Sequence, residues 1–520
     1  MAAYRTTPDP TLTTMPRGVP FIIGNEMAER FSFYGMKGIL TVFLTKHLLD
    51  AAGQPAYMND EEAKAVYHLF TAGAYFFPLI GAMISDILWG KYKTILLISL
   101  MYCLGHGCLA LMDVGPATGL WDMKWFLFAG LALIAMGAGG VKPCVSAHVG
   151  DQFGSGNKRL ITQIFNWFYF SINLGAAAST LLTPLLLVKV GPWAAFGLPG
   201  VLMAIATFVF WLGRHKFIHV PASGWTKFKN ETFSPAGRRA IINLAPLFLI
   251  FVPMFWAIFD QTGSAWVLQA DEMDREFMGV TWLQSQVQAV NPILILTLIP
   301  LFTYVLYPFM GRFFDPTPLR KIGIGMFLTV AAFAVSALIQ VAIIAKTPEV
   351  GGALWAALGE TGDVPKTMSE IVKQARVLGW DQEQLSPYLA DMPNIGWQFF
   401  AYLVLTSAEI LVSIVCLEFA YTQSPPRMKS FIMGIFFLGV SLGNLFVSGV
   451  NKMMDVMKNE DGTTFLEGAT YYWFFAGLMG VTSVAYVVFA RFYKGQTYIQ
   501  GEGDKAEVHA EAQAEGPDAH

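Results

Sequence analysis

Residues 21–49 read FIIGNEMAERFSFYGMKGILTVFLTKHLL. As a helix this run is long enough to cross the roughly 30 Å hydrocarbon core of a bilayer, yet it carries Glu26, Glu29, Arg30 and Lys37. A charge near the middle of a span costs roughly 2.5–3.5 kcal/mol on insertion scales, so such residues tend to mark a pathway or a partner. At about 100° per residue Glu26, Arg30, Phe33 and Lys37 fall within about 60° of one another and form one polar stripe, with Glu29 along its edge. Taken alone, Glu26 and Arg30 also read as an ordinary i,i+4 pair near a helix end. Charges on other helices decide between the two readings.

The rest of the chain has the same solvent. Hydrophobic residues fill 54% of 520 positions and charged residues 14%, with a mean hydropathy of +0.48. That balance excludes an ordinary soluble globular chain. Apolar runs near 21–49, 63–88, 93–113, 124–149, 160–188, 193–213, 243–267, 289–311, 321–346, 396–423, 430–452 and 469–492 predict an all-α membrane protein with twelve transmembrane helices. A net charge of −3 offers no cationic face for nucleic acid. Cys103, Cys108, Cys144 and Cys416 lie in apolar segments without metal spacing and read as buried free thiols. The polar start, MAAYRTTPDPTLTTMPRG, lacks the pattern of a cleaved signal, so the first span is expected to direct insertion.

Orientation follows from Lys and Arg. Arg5, Arg17, Lys91, Lys93, Lys158, Arg159, the cluster from Arg214 to Arg239, Arg312, Arg320, Lys321, Arg427, Lys429, Arg491 and Lys494 all fall on one side. The opposite loops carry few cations and are richer in acids, including Asp60, Glu61, Glu62, Asp271, Glu272, Asp274 and Glu276. The positive-inside rule therefore places both termini in the cytoplasm of a multi-pass protein of the cell membrane. The basic stretch 214–242 reads as a cytoplasmic linker between a six-helix bundle over 1–213 and a second over 243–498. Residues 347–395 read as an outer loop with two short helices, and the acidic tail 499–520 as disordered.

Charges on other helices settle the reading of the first stripe in favour of a central polar cavity. Lys142 lies on helix 4, and Glu409 and Glu418 lie on helix 10. Depth counting puts Lys142 in the inner half and Glu409 near mid-depth, where the two are placed to close the inner side. Lys37 and Asp260 both fall in the outer half and are expected to form an outer counterpart. His68, in helix 2, has a residue type suited to reversible protonation, and reads equally as a packing histidine. Asn173 and Asn291 supply hydrogen-bonding groups, and Tyr34, Tyr75 and Tyr169 amphipathic walls.

The segment GAGGVKP lacks the ending of a nucleotide-binding loop, and no catalytic or metal constellation is visible, so the chain does not read as an enzyme. No cofactor is expected apart from protons as a coupling ion, and no obligate protein partner is evident.

Two turns resemble the repeated loop motif of the major facilitator superfamily: GAMISDILWGKYKT with Asp86 and Lys91, and GRFFDPTPLRK with Asp315 and Arg320. EMAERFSFYG is similar to the ExxERFxYY motif of the proton-dependent oligopeptide transporter family. GGVKPCVSAHVGDQF, NWFYFSINLGA, FDQTGSAWVLQA and LEFAYTQSPPRMKS resemble its later signatures in the correct order. The resemblance implies a major facilitator fold of two six-helix bundles that imports di- and tripeptides with protons. It also implies that Glu26, Glu29, Arg30 and His68 couple proton binding to transport. Arg30 and Lys142 would meet the peptide carboxylate and Glu409 its ammonium, with Tyr34, Tyr75, Tyr169, Asn173 and Asn291 lining the site. Lys37, Asp260, Lys142, Glu409 and Glu418 would act in gating. Phe33 departs from the motif by standing where the family has a tyrosine. The alternative cargo is nitrate or another small solute, which a carboxylate at Glu409 disfavours by repelling an anion.

Overall fold

The computed structural model describes residues 4–423, 429–459 and 463–493. Among these, eleven helices are long and apolar enough to cross a membrane. A further 28-residue helix, α1 (Val19–Lys46), has the length and differs by its charged stripe. The others are α2 (Asp60–Trp89), α3 (Lys91–Ala110), α4 (Met123–Gly150), α5 (Lys158–Lys189), α6 (Pro192–His215), α7 (Pro235–Asp271), α8 (Gln286–Met310), α9 (Pro318–Ala357), α10 (Gly396–Ala420), α11 (Phe431–Val456) and α12 (Ala469–Phe492).

In the first half α1 packs on α5 and α6, α4 packs on α2 and α3, and α3 also meets α6. In the second half α9 packs on α10 and α12, and α7 on α11. The halves meet along α2 with α11 and α5 with α8. Their α2–α11 seam is antiparallel and built from small residues. Ser441 Oγ donates to the Ala72 carbonyl oxygen at 2.8 Å, and Ser448 Oγ donates to that of Ala65 at 2.8 Å, seven residues on along one helix and seven back along the other. Short side chains let backbones come close, and their hydroxyls satisfy carbonyl lone pairs where no water competes.

Two element ends differ from the sequence reading. α7 begins at Pro235, inside the stretch read as linker, because the Ser234 hydroxyl accepts from the Gly237 amide and proline opens the first turn. α9 runs 40 residues to Ala357 instead of ending near 346. Its extension carries Pro348 and two glycines, which read as loop, but buries Val350 and Leu354 against the short helix Met368–Val377 through Met368, Ile371 and Val372. Packing there overrides the breaker residues. Of the cysteines, Cys144 and Cys416 are buried as expected, while Cys103 and Cys108 are half-buried; all four are free. The tail 499–520 lies outside the described residues.

Val19 and Phe492 mark one end of the bundle, the terminal end; the opposite end is the far end.

Candidate functional site

The stripe on α1 folds as its spacing requires. Arg30 Nε donates to Glu26 Oε1 at 2.7 Å and lies 3.3 Å from Glu29 Oε2. Both carboxylates are buried. α5 can close over this stripe because Gly175 has no side chain: a Cβ there would lie 2.7 Å from the carbonyl oxygen of Met27. Two turns on, Lys37 leaves the stripe and crosses to the second half, donating to Asp260 Oδ1 at 2.6 Å. The expected outer pair is therefore formed, and it ties α1 to α7 near the far end.

His68 belongs to the same connection. Its Nδ1 lies 2.8 Å from Asn444 Oδ1 and its Nε2 lies 2.8 Å from Ser264 Oγ. Asn444 Nδ2 donates to Asp260 Oδ2 at 2.7 Å and to the Val440 carbonyl oxygen at 3.0 Å. Both acceptors are oxygens without protons, so the amide can point only one way and its Oδ1 must accept. His68 then carries a proton on Nδ1, and its Nε2 shares a hydrogen bond with the Ser264 hydroxyl. This gives a continuous bonded chain, Lys37–Asp260–Asn444–His68–Ser264, across the two halves. His106, by contrast, bonds the Phe196 carbonyl oxygen at 3.1 Å within its own half.

Lys142 and Glu409, on different halves, do not pair with each other; each is held within its own half. Lys142 Nζ lies 3.7 Å from the ring centre of Phe33 and 4.2 Å from that of Tyr75. It accordingly rests on the faces of two aromatic rings, a geometry that stabilises a cation. Phe33, whose missing hydroxyl marked it as a departure, supplies one of those faces. Glu409 Oε2 accepts from Asn291 Nδ2 at 2.7 Å, and the same amide donates to Thr406 Oγ1 at 3.1 Å. α10 widens into a π turn, Ile410–Ile414, directly after Glu409, a distortion frequent at functional positions. Tyr34 stands in the fields of Arg30, Glu409, Asp260 and Glu29 together, and Tyr169 in those of Glu409 and Tyr34. Tyr75 packs against Trp256 and Phe437 of the other half.

The structure places further residues of this region. Lys142 and Glu409 form no ion pair; each is held by neighbours of its own half while the far end is closed. Glu418 is exposed and makes no ion pair among the described residues, since at 100° per residue it lies about half a turn round α10 from Glu409. Asn173 is buried, but its amide donates to the Tyr169 carbonyl oxygen on its own helix.

Sequence reading missed Asn444 and Ser264, although a lone amide in VSLGNLFVSG on an apolar helix is a recognisable signal of an interhelical bond. It also missed a second far-end cluster. Lys46 Nζ lies 2.5 Å from Asp271 Oδ2, and Asp271 Oδ1 receives Arg376 at 3.0 Å and Arg275 at 3.5 Å. Alongside, Lys373 reaches Asp60 at 2.6 Å, and Lys458 reaches Glu61 at 3.0 Å. The far-end helix Met368–Val377 thus fastens the second half onto the first.

These features can be set beside known proteins. The sequence model described as the POT family matches residues 92–230 and 226–474. "Peptide transporter family 1" of Drosophila melanogaster is 38% identical over 361 residues, 62% of this chain and 47% of that protein. "Solute carrier family 15 member 2" of Homo sapiens is 36% identical over 377 residues, 65% of this chain and 51% of that protein. The chain thus spans about half the length of the curated relatives it matches. Among solved structures, one described as "Crystal structure of auto inhibited POT family peptide transporter" is similar at a TM-score of 0.72 and 32% identity, covering 93% of this chain and 99% of that one. Another, "Crystal structure of a proton dependent oligopeptide (POT) family transporter", is similar at 0.66 and 32%, covering 90% and 100%. The fold is the major facilitator arrangement of two six-helix bundles, in a multi-pass membrane protein. With its family model matched over most of its length, this chain belongs to the POT family.

Proposed function

We propose that this protein is a proton-coupled symporter that imports di- and tripeptides by alternating access. The observation that carries this reading is that Lys142 and Glu409, on different halves, are each held by neighbours of their own half while Lys37 and Asp260 are joined. A zwitterionic peptide needs a cationic patch for its carboxylate and an anionic one for its ammonium, with polar and aromatic walls between. Arg30 and Lys142 supply the first, Glu409 the second, and Tyr34, Tyr75, Tyr169, Asn173 and Asn291 the walls. The names of the relatives, peptide transporters among them, support the same cargo.

In this reading the far end faces outward and both termini lie in the cytoplasm, at the cell membrane. The structure then corresponds to a state closed outside. Import requires the Lys37–Asp260 connection to open and an inner closure, of which Lys142 and Glu409 are the candidate pair, to form in its place. Glu26, Glu29, Arg30 and His68 couple proton binding to this exchange, and no cofactor other than the proton takes part. A small anion such as nitrate fits less well, because Glu409 repels it. Uptake of a labelled dipeptide into liposomes under an imposed proton gradient tests the proposal: uptake abolished by a protonophore is the expected result, and uptake indifferent to it rejects the coupling.

A further inference from the structure

The apolar core of the first half is split into two clusters. One, toward the far end, holds Phe33 and Met36 of α1, Tyr102 of α3, Ala138 of α4 and Met203 of α6. The other, toward the terminal end, holds Val19 and Ile22 of α1, Ile98 of α3, Val141 of α4 and Phe210 of α6. Along each of the four helices the clusters part between Ile22 and Phe33, Ile98 and Tyr102, Ala138 and Val141, and Met203 and Phe210. In those intervals lie Asn25, Glu26, Glu29, Arg30 and Ser99, with Tyr102 at their edge.

This layer is short of hydrogen-bond partners. Asn25, Glu26, Glu29, Ser99 and Tyr102 are each at most 1% exposed. Both polar atoms of the Asn25 amide, Glu26 Oε2, both oxygens of Glu29, Ser99 Oγ and the Tyr102 hydroxyl lack a hydrogen-bond partner. The Tyr102 hydroxyl stands in the fields of Glu29, Arg30 and Glu26. A buried polar atom left unpaired costs about 1–3 kcal/mol, and proteins meet such clusters with internal water, each molecule typically making about three hydrogen bonds.

We propose that Asn25, Ser99 and Tyr102 are positioning residues for the proton-coupling carboxylates, enclosing with Glu26 and Glu29 a hydrated layer in the first half that also holds Arg30. This rests on the coupling role proposed for Glu26 and Glu29. The charged and titratable groups around Glu29 are Glu26 and Arg30 on its own helix, Tyr34 one turn on, Tyr75 on α2, Tyr102 on α3 and Lys142 on α4. None of Asn25, Ser99 and Tyr102 is among the residues assigned to the peptide. Their loss removes donors that hold water against the carboxylates and leaves the peptide contacts in place.

The test uses the full chain in liposomes, with Tyr102→Phe as the mild variant, Asn25→Val as the stronger one and Asn25→Ser as its conservative rescue. Two transport modes are read with the same labelled dipeptide: uptake driven by a proton gradient across a range of pH, and exchange against unlabelled dipeptide without a gradient. Exchange is expected to stay near that of the unchanged chain. Driven uptake is expected to fall about fivefold in Asn25→Val and Tyr102→Phe, or its pH midpoint to rise by about half a unit as the charged carboxylate loses donors, with Asn25→Ser restoring it. Driven uptake and midpoint unchanged in both variants overturn the proposal, and so does an equal loss of exchange and driven uptake. Absence of driven uptake in the unchanged chain overturns the coupling reading itself, and is seen before any variant is compared.

Discussion

Asn444 fixes the tautomer of His68. Its amide nitrogen is committed to Asp260 and to a backbone carbonyl, so its oxygen faces His68 Nδ1 at 2.8 Å and requires a proton there. Nitrogen-15 NMR of labelled histidine should therefore show His68 protonated at Nδ1 at a pH where the far end is closed. In Asn444→Leu both Asp260 Oδ2 and His68 Nδ1 lose their partner, and thermal unfolding should report a loss of about 1–3 kcal/mol for each orphaned group. A spectrum showing the Nε2–H form would contradict the bonded chain.

Lys37 and Asp260 are both buried and lie 2.6 Å apart. Removing one partner strands the other, so Lys37→Met or Asp260→Asn alone should destabilise the closed far end by about 3–5 kcal/mol, while the double substitution costs less than the sum. A double-mutant cycle on thermal unfolding, with cross-linking across the far end as the conformational readout, measures this. Strict additivity would mean that the pair does not hold the end closed.

Phe33 provides an aromatic face 3.7 Å from Lys142 Nζ. Phe33→Leu keeps an apolar side chain but removes that face, giving the lysine more freedom before substrate arrives. Dipeptide affinity, read as inhibition of labelled uptake, should weaken by about 0.5–2 kcal/mol, and Phe33→Trp should recover it. Equal affinity in all three proteins would reject the resting position as a functional feature.

Glu272 lies just past the end of α7, half-buried beside Gln340, which donates to it at 3.1 Å. Burial, helped by Asp60 and Asp271, pushes its carboxyl up to about 7, against the opposing effects of the Gln340 bond and Lys373. The folded state thus binds this proton more tightly than the unfolded chain. Its stabilising contribution is full below the ordinary glutamate range and is lost as pH rises through about 7. Unfolding between pH 4.5 and 7 should show this loss, at most about 3 kcal/mol and less with solvent screening, and Glu272→Gln should flatten it. A variant with an unchanged slope would assign the effect elsewhere.

Much of the architecture is legible because lipid and water impose different rules on the same chain. The α1 stripe stands out since four charges in an apolar span have few innocent explanations, and the Lys37–Asp260 pair follows from equal depth on helices of opposite halves. The outer reach of α9 was hidden because Pro348 and its neighbouring glycines are loop signals until Met368, Ile371 and Val372 cover that stretch. The missing Lys142–Glu409 pair has a different cause. Which end is closed is a property of a conformation, and two conformations share one sequence. His68 was visible as a titratable residue, but its partners on α7 and α11 depend on three-dimensional register.

α9 is about 60 Å long by its 40 residues, roughly twice the thickness of the hydrocarbon core. It therefore works as a lever: a small tilt of the second half near Glu409 becomes a larger swing where Val350 and Leu354 grip the far-end helix. Lys373 of that helix holds Asp60 of the first half, beside the Lys46–Asp271 bridge that also joins the halves, so the swing loads both attachments at once. Opening of the far end should then proceed as a single unfastening rather than a gradual widening, with its rate set by how quickly those two cations let go.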